Sequence, residues 1–188
     1  MLYFEIINKA SMSSLISSEN LEFIRTVIIV VGSIIAIKTY ISGQKQRKLE
    51  NSLKMLDLFH SNIQDNALES WGALFKSAAE PCGAQSGHYR NSFGEQVSLT
   101  DLFSEGPEDG GATNRITEQL NLLCHHMNQK TVDISVVYSN IGQLMTVIYG
   151  WYKEESFFKE NYPYFEKFMR KNERNLKKLP MKTISYCE

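Results

Sequence analysis

Cys124, His125 and His126 stand in a row, and three soft ligands side by side pose the question of a metal site. Neighbouring residues of a helix point about 100° apart, so the three cannot converge on one ion. No further Cys or His lies three or four residues away to complete a shell. Cys82 and His88 bracket a loop, where any other ligand would have to come from distant parts of the chain. The pattern reads as core packing for Cys124 and a surface or polar contact for one histidine.

Nucleophilic chemistry fares no better. Cys82 or Cys124 could pair with His60, His88, His125 or His126, but no spacing selects a pair, and a buried thiol is inert. The sequence has no phosphate-cradling glycine loop at a strand–helix junction, no G-x-S-x-G and no H-E-x-x-H. Asp101, Glu105, Glu108 and Asp109 gather carboxylates without the register of a calcium loop. The expectation is a chain with no catalytic residue, no metal site and no cofactor.

The basic residues near the end form the remaining candidate site. Lys167, Arg170, Lys171, Arg174, Lys177 and Lys178 cluster against Glu173, beyond a run of aromatics from Phe157 to Phe168. One outcome is a solvated helix face. Another is contact with the phosphates of anionic lipid. A third is contact with nucleic acid, which interleaved aromatics could support by stacking; aromatics at helical spacing are more often core, so direct nucleic-acid binding ranks below lipid.

These residues need elements to hold them. In 188 residues the apolar share is 43% and the charged share 22%, a globular composition. Lys plus Arg (20) against Asp plus Glu (21) gives a net charge of -1, which argues against a wholesale polyanion binder. Three cysteines are too few for a disulfide framework. The negative mean hydropathy excludes a polytopic membrane protein, yet an average hides one span. Thr26 to Ile37 (TVIIVVGSIIAI) is uncharged, and eight of its side chains are β-branched aliphatics. Flanking Leu21, Phe23, Ile24, Tyr40 and Ile41 extend it to Leu21–Ile41, about the 20 residues a bilayer needs. The predicted span thus includes Leu21, Arg25, Val27, Ile29, Val31, Ile34, Ile37, Lys38 and Ile41, with Arg25 and Lys38 snorkelling from its ends. No small-residue cleavage pattern follows, which separates it from a signal peptide. The nearby basic residues Lys38, Lys45, Arg47, Lys48 and Lys54, against only Lys9 and Arg25 on the other side, place the C-terminal part in the cytoplasm.

The expected architecture is all-α: an outside tail (1–20), a transmembrane helix (21–42) and a helical cytoplasmic domain (43–188) with a loop over 80–113. Leu49, Leu53, Leu56, Phe59 and Ile63 make one apolar stripe after the span, which continues as a long helix. A second helix covers Ala67–Ala79, with Leu68, Trp71, Leu74, Phe75 and Ala78 inward. Glycines, prolines and six acidic residues mark 80–111 as a loop, with Val97–Phe103 alone apolar enough for a short element. Helicity resumes at Asn114 with Ile116, Leu120, Leu123, Cys124 and Met127 on one face. Asp133 caps a further helix striped by Val136, Val137, Ile141, Leu144, Ile148 and Trp151. Ile134 to Tyr152 has nineteen residues and no formal charge, so this helix is core, a second, poor span or an interfacial helix; core is preferred. A last helix starts at Pro163 and runs to about Leu179.

The segments Ile116–Asn128 (ITEQLNLLCHHMN), Thr131–Asp133, Leu144–Trp151 and Tyr164–Arg170 (YFEKFMR) resemble a family of small, largely uncharacterised bacterial and phage membrane-anchored helical proteins. The resemblance covers about two-thirds of the chain through packing motifs. It departs where the family tends to carry a Glu near His125 or His126, so no role of that carboxylate transfers. Similar proteins occur beside anti-phage systems, including retrons. The resemblance implies an inner-membrane effector of abortive infection, held quiet by a protein or ribonucleoprotein partner encoded nearby, that perturbs the bilayer when released chains form a homo-oligomer. The alternative is a tethered scaffold or sensor that docks a cytosolic partner. An enzyme using Cys82 or Cys124 ranks last.

Overall fold

The computed structural model describes residues 18–63, 65–78, 85–104 and 108–180. Those residues form an all-α protein with one small hairpin. Its helices are α1 (Ser18–Asn62), α2 (Asp65–Ala78), α3 (Ala112–Asn128), α4 (Ile134–Tyr152), α5 (Ser156–Asn161) and α6 (Pro163–Leu176). Strands β1 (His88–Arg90) and β2 (Gln96–Ser98) lie between α2 and α3, followed by a short 3-10 turn at Leu99–Phe103. The chain divides into two compact units, residues 1–47 and 48–188.

In the first unit the described residues are the early part of α1. Two hydroxyls in its apolar run bond back into the helix: Thr26 Oγ1 donates to the Glu22 carbonyl (2.9 Å) and Ser33 Oγ to that of Ile29 (2.7 Å). No polar side chain there demands a partner from outside the helix.

The second unit holds the core. α6 packs most extensively on α3, and α4 also packs against both. Ile116, Leu120, Leu123, Cys124 and Met127 of α3 are all buried, as their spacing predicts. Two expectations about stripes are corrected. Leu49 and Leu53 are exposed, and the inward line of the late α1 turns is Ser52, Leu56, Phe59 and Ile63. Ser52 displaces them because its hydroxyl accepts from the Asp133 N–H (2.7 Å) and donates to the Lys48 carbonyl (2.7 Å), so a polar side chain occupies the contact line. On α4, Val136, Leu144 and Trp151 are only half-buried, while Tyr138, Met145 and Tyr152 join Val137, Ile141 and Ile148 inside. α4 is therefore a core helix: its inward face is covered by protein, while Ser135, Asn140, Thr146 and Gly150 are exposed on the other.

The predicted loop is partly ordered. β1 and β2 pair antiparallel in the register His88–Ser98, Tyr89–Val97 and Arg90–Gln96. Their connection closes on Gly94, whose φ of 82° suits glycine, while Asn91 Oδ1 accepts from the N–H groups of Phe93 and Glu95. Three residues reading His-Tyr-Arg carry no alternating pattern; β1 exists because Tyr89 is buried against the domain. Leu99 and Leu102 of the 3-10 turn also enter the core, and the Leu99 carbonyl accepts from the Tyr152 hydroxyl (2.7 Å). α5, absent from the sequence-based expectation, brings in Phe158.

Glycine at 142 is a packing requirement. The ring of Tyr138 crosses it so that the phenol reaches Thr146 Oγ1 (2.8 Å), and a Cβ there would stand 2.9 Å from ring carbons. A Gly-to-Ala change inside a helix ordinarily stabilises by about 1 kcal/mol. Here Gly142→Ala is expected to destabilise by about 1–3 kcal/mol, as overpacking does, measured as a lowered denaturation midpoint.

Asp133 caps α4 as predicted. Its Oδ1 accepts from the Ser135 N–H (2.9 Å) and the Ser135 hydroxyl (2.6 Å). The Ser135 hydroxyl bond is the main reason its carboxyl is held below the usual range, with backbone N–H groups adding to it. Asp133→Ala should cost about 1 kcal/mol near neutral pH. Because the folded value is lowered, the ionised cap is fully effective above the unfolded-state value. Its contribution disappears as pH falls through the folded one. Denaturant titrations of both proteins should therefore converge in acid.

Candidate membrane-contact site

Two surfaces are candidates for contact with lipid: the apolar stretch of α1 and the outer face of α6. Each is built from helix periodicity.

An 18-residue window within α1 is long and apolar enough to cross a membrane, and none of it is buried by the protein. Among the large apolar side chains of Leu21–Ile41, exposure runs from Val27 at 42% to Phe23 at 70%. A core helix would have covered these side chains, as α4 is covered. Leu21 to Ile41 makes about 30 Å of helix, matching the hydrocarbon thickness. Arg25 and Lys38 stand thirteen residues apart, only about 20 Å along the axis. Were the stretch to cross a bilayer, each cation would have to reach outward about 5 Å to the headgroups, within the reach of their long apolar stems. Gly32 and Ala36 lie one turn apart on this exposed surface, and nothing stands within 4 Å of a Cβ placed on Gly32.

All six predicted cations of the C-terminal cluster are exposed, but they divide into two groups. Arg170 pairs with Glu166 (2.7 Å) and Lys177 with Glu173 (2.9 Å), both at i,i+4 with the acid first. The hydrogen bond from Lys177 holds the Glu173 carboxyl below its ordinary range. Lys167, Lys171, Arg174 and Lys178 have no ion-pair partner among the described residues. Their spacings of four, three and four place them within about 60° of one another, along about 16 Å of helix and its final turn. The buried Phe165, Phe168, Met169 and Leu176 lie on the opposite side. Like charges one turn apart destabilise a helix by about 0.2–0.5 kcal/mol per pair. The stripe therefore carries a repulsion that the neighbouring Glu173 eases at Arg174 and that no ion pair among the described residues neutralises.

The remaining candidates take structural places. Cys124 is fully buried, and burial pushes its thiol well above the ordinary value, which disfavours the thiolate. His125 meets the Tyr164 ring edge-on at 4.4 Å and contacts Gln129 (2.8 Å). Among the described residues no three His, Cys, Asp or Glu side chains are grouped to hold a metal ion. Cys82, Cys187 and Glu105 lie outside the described residues. Asp109 is a cap that sequence reasoning misses: its carboxylate accepts from the N–H groups of Gly111 (2.9 Å) and Thr113 (2.6 Å) at the start of α3. The signal is present as Asp109-Gly110-Gly111 directly before a helical pattern. Asn121 is also missed. Its side-chain oxygen accepts from the N–H groups of Tyr164 and Phe165, tying the start of α6 to α3.

Two clefts are notable in this unit. One, of about 750 Å³, is lined by Phe103, Tyr162, three asparagines, Glu118 and Glu155 among others. In it the Tyr162 hydroxyl donates to Asn114 Oδ1, and its phenol is pushed up to about 12, chiefly by burial. The other, of about 300 Å³, is apolar and lined by Phe59, Trp71, Phe75 and Leu144, with His60 at its edge. The Trp71 indole N–H is buried without an acceptor among the described residues. Neither cleft brings a cysteine to a histidine. The chain matches no family model, no curated protein and no solved structure.

Proposed function

We propose that this chain is a single-span membrane protein whose helical domain works by docking a partner at the bilayer surface. The observation that carries the proposal is the apolar window of α1, of which no part is covered by protein. The basic residues after the span, Lys38, Lys45, Arg47, Lys48 and Lys54, outnumber Lys9 and Arg25 before it, so the domain faces the cytoplasm under the positive-inside rule. The odd cysteine count agrees with that reducing side. The family resemblance implies a bacterial inner membrane and a protein or ribonucleoprotein partner. Carbonate-washed membranes are the test: the chain stays in the pellet, and protease added to spheroplasts leaves residues 48–188 intact. Release into the wash defeats the anchor, and digestion of the domain defeats the orientation.

A second proposal, a bilayer-perturbing effector of an anti-phage system, requires anchored chains to associate. The open surface at Gly32 and Ala36 favours it, since small residues let helices approach closely in lipid. Induced expression alone should then collapse the membrane potential, and Gly32→Ile should suppress the collapse. An unchanged potential at high expression defeats the effector and leaves the docking domain.

A further inference from the structure

We infer that the stripe Lys167, Lys171, Arg174 and Lys178 seats on the anionic headgroups of the same bilayer that anchors α1. The inference rests on the anchoring proposal and adds a second, electrostatic contact to it.

Three observations converge on lipid. The four cations are exposed, aligned and without ion-pair partners among the described residues, while their neighbours Arg170 and Lys177 are paired. A stripe of mutually repelling charges gains most from an external counter-surface. Nucleic acid offers phosphates too, but its single strands also need rings to stack on. Of the aromatics that precede and interleave this cluster, Phe158, Phe165 and Phe168 are fully buried and Phe157 is half-buried, which leaves Tyr164 as the one exposed ring and no row of rings to stack on. A net charge of -1 supplies no long-range field for a free polyanion. A tethered domain needs none: the span holds it at high effective concentration beside the headgroups, so a weak attraction suffices. Each cation at an anionic surface strengthens contact about five-fold.

The test uses the full chain in vesicles of phosphatidylcholine alone and of phosphatidylcholine with phosphatidylglycerol. Lysine acylation is followed by mass spectrometry, with Lys76 and Lys153 as internal references. Lys167, Lys171 and Lys178 should acylate several-fold more slowly in the anionic vesicles, and high salt should abolish the difference. Arg174→Glu, a change at an exposed position, should weaken the protection of Lys171 and Lys178. Equal labelling in both vesicle types, with the chain floating alongside them, overturns the stripe contact and spares the anchor. A chain that floats with neither overturns both. Protection that appears only when a single-stranded oligonucleotide is added to the phosphatidylcholine sample assigns the stripe to nucleic acid and overturns the lipid contact.

Discussion

Deleting residues 1–42 is expected to move the protein from the membrane pellet to the high-speed supernatant, with its domain still folded. The deletion removes the whole apolar window but none of the side chains that α1 contributes to the core, which begin at Ser52. Leu21–Ile41 contains twelve Leu, Ile, Val or Phe residues, each favouring insertion by about 0.3–0.6 kcal/mol, so their sum is about 4–7 kcal/mol. Two cations at the bilayer centre would oppose this with about 5–7 kcal/mol. Position therefore decides the outcome. Arg25 and Lys38 lie near the ends, where the penalty is small, and the apolar term wins. The same arithmetic predicts that Val31→Arg, at the middle of the span, sharply reduces the carbonate-resistant fraction of the full-length chain. Fractionation followed by immunoblotting reads both variants. A deletion protein that remains in the pellet as a soluble-domain aggregate is recognised by the loss of its tryptophan signal; one that remains there folded sinks the anchor.

Phe158→Ala should cause the largest loss of stability. Phe158 is fully buried, and its ring lies 5.5 Å from that of Tyr162, 5.6 Å from Phe165, 6.2 Å from Tyr152 and 6.3 Å from Tyr149. Rings this close must each move to fill the void, and those of Tyr152 and Tyr162 are held by hydroxyl bonds to Leu99 and Asn114. The cavity cannot collapse easily, so the cost falls at about 3–5 kcal/mol, a large share of a domain's usual 5–15 kcal/mol. The melting temperature should fall by on the order of 10 °C. The chain's two tryptophans are Trp71 and Trp151. Intrinsic fluorescence therefore reports the domain and not the anchor, even in detergent. A change of only a degree or two would mean that Phe158 is not the hub of the aromatic cluster.

Residues that interact with near neighbours are legible in the amino-acid sequence. The face of α3 from Ile116 to Met127, the Asp133 cap and the Pro163 start of α6 each depend on a helix turn or less. β1 and α5 are not legible there. A strand of three residues and a helix of six carry too little pattern, and both are held by burial of one side chain, Tyr89 or Phe158, against distant parts of the chain. The late stripe of α1 misleads for a related reason. Hydropathy favours Leu49 and Leu53 over Ser52, but the serine hydroxyl has a partner at Asp133, eighty-one residues on.

That α1 holds a stretch long and apolar enough to cross a membrane follows from the sequence alone, because a helix satisfies its own backbone and the criterion needs only length and apolarity. Tertiary structure decided everything that depends on who covers whom. It made α4 a core helix and not a second span, turned Phe158, Phe165 and Phe168 inward, and left four of six cations without an ion pair among the described residues, along the outer face of α6 and the turn after it. Periodicity tells which residues share a face, but only the packing of non-local neighbours determines which face meets the core and which meets the surroundings.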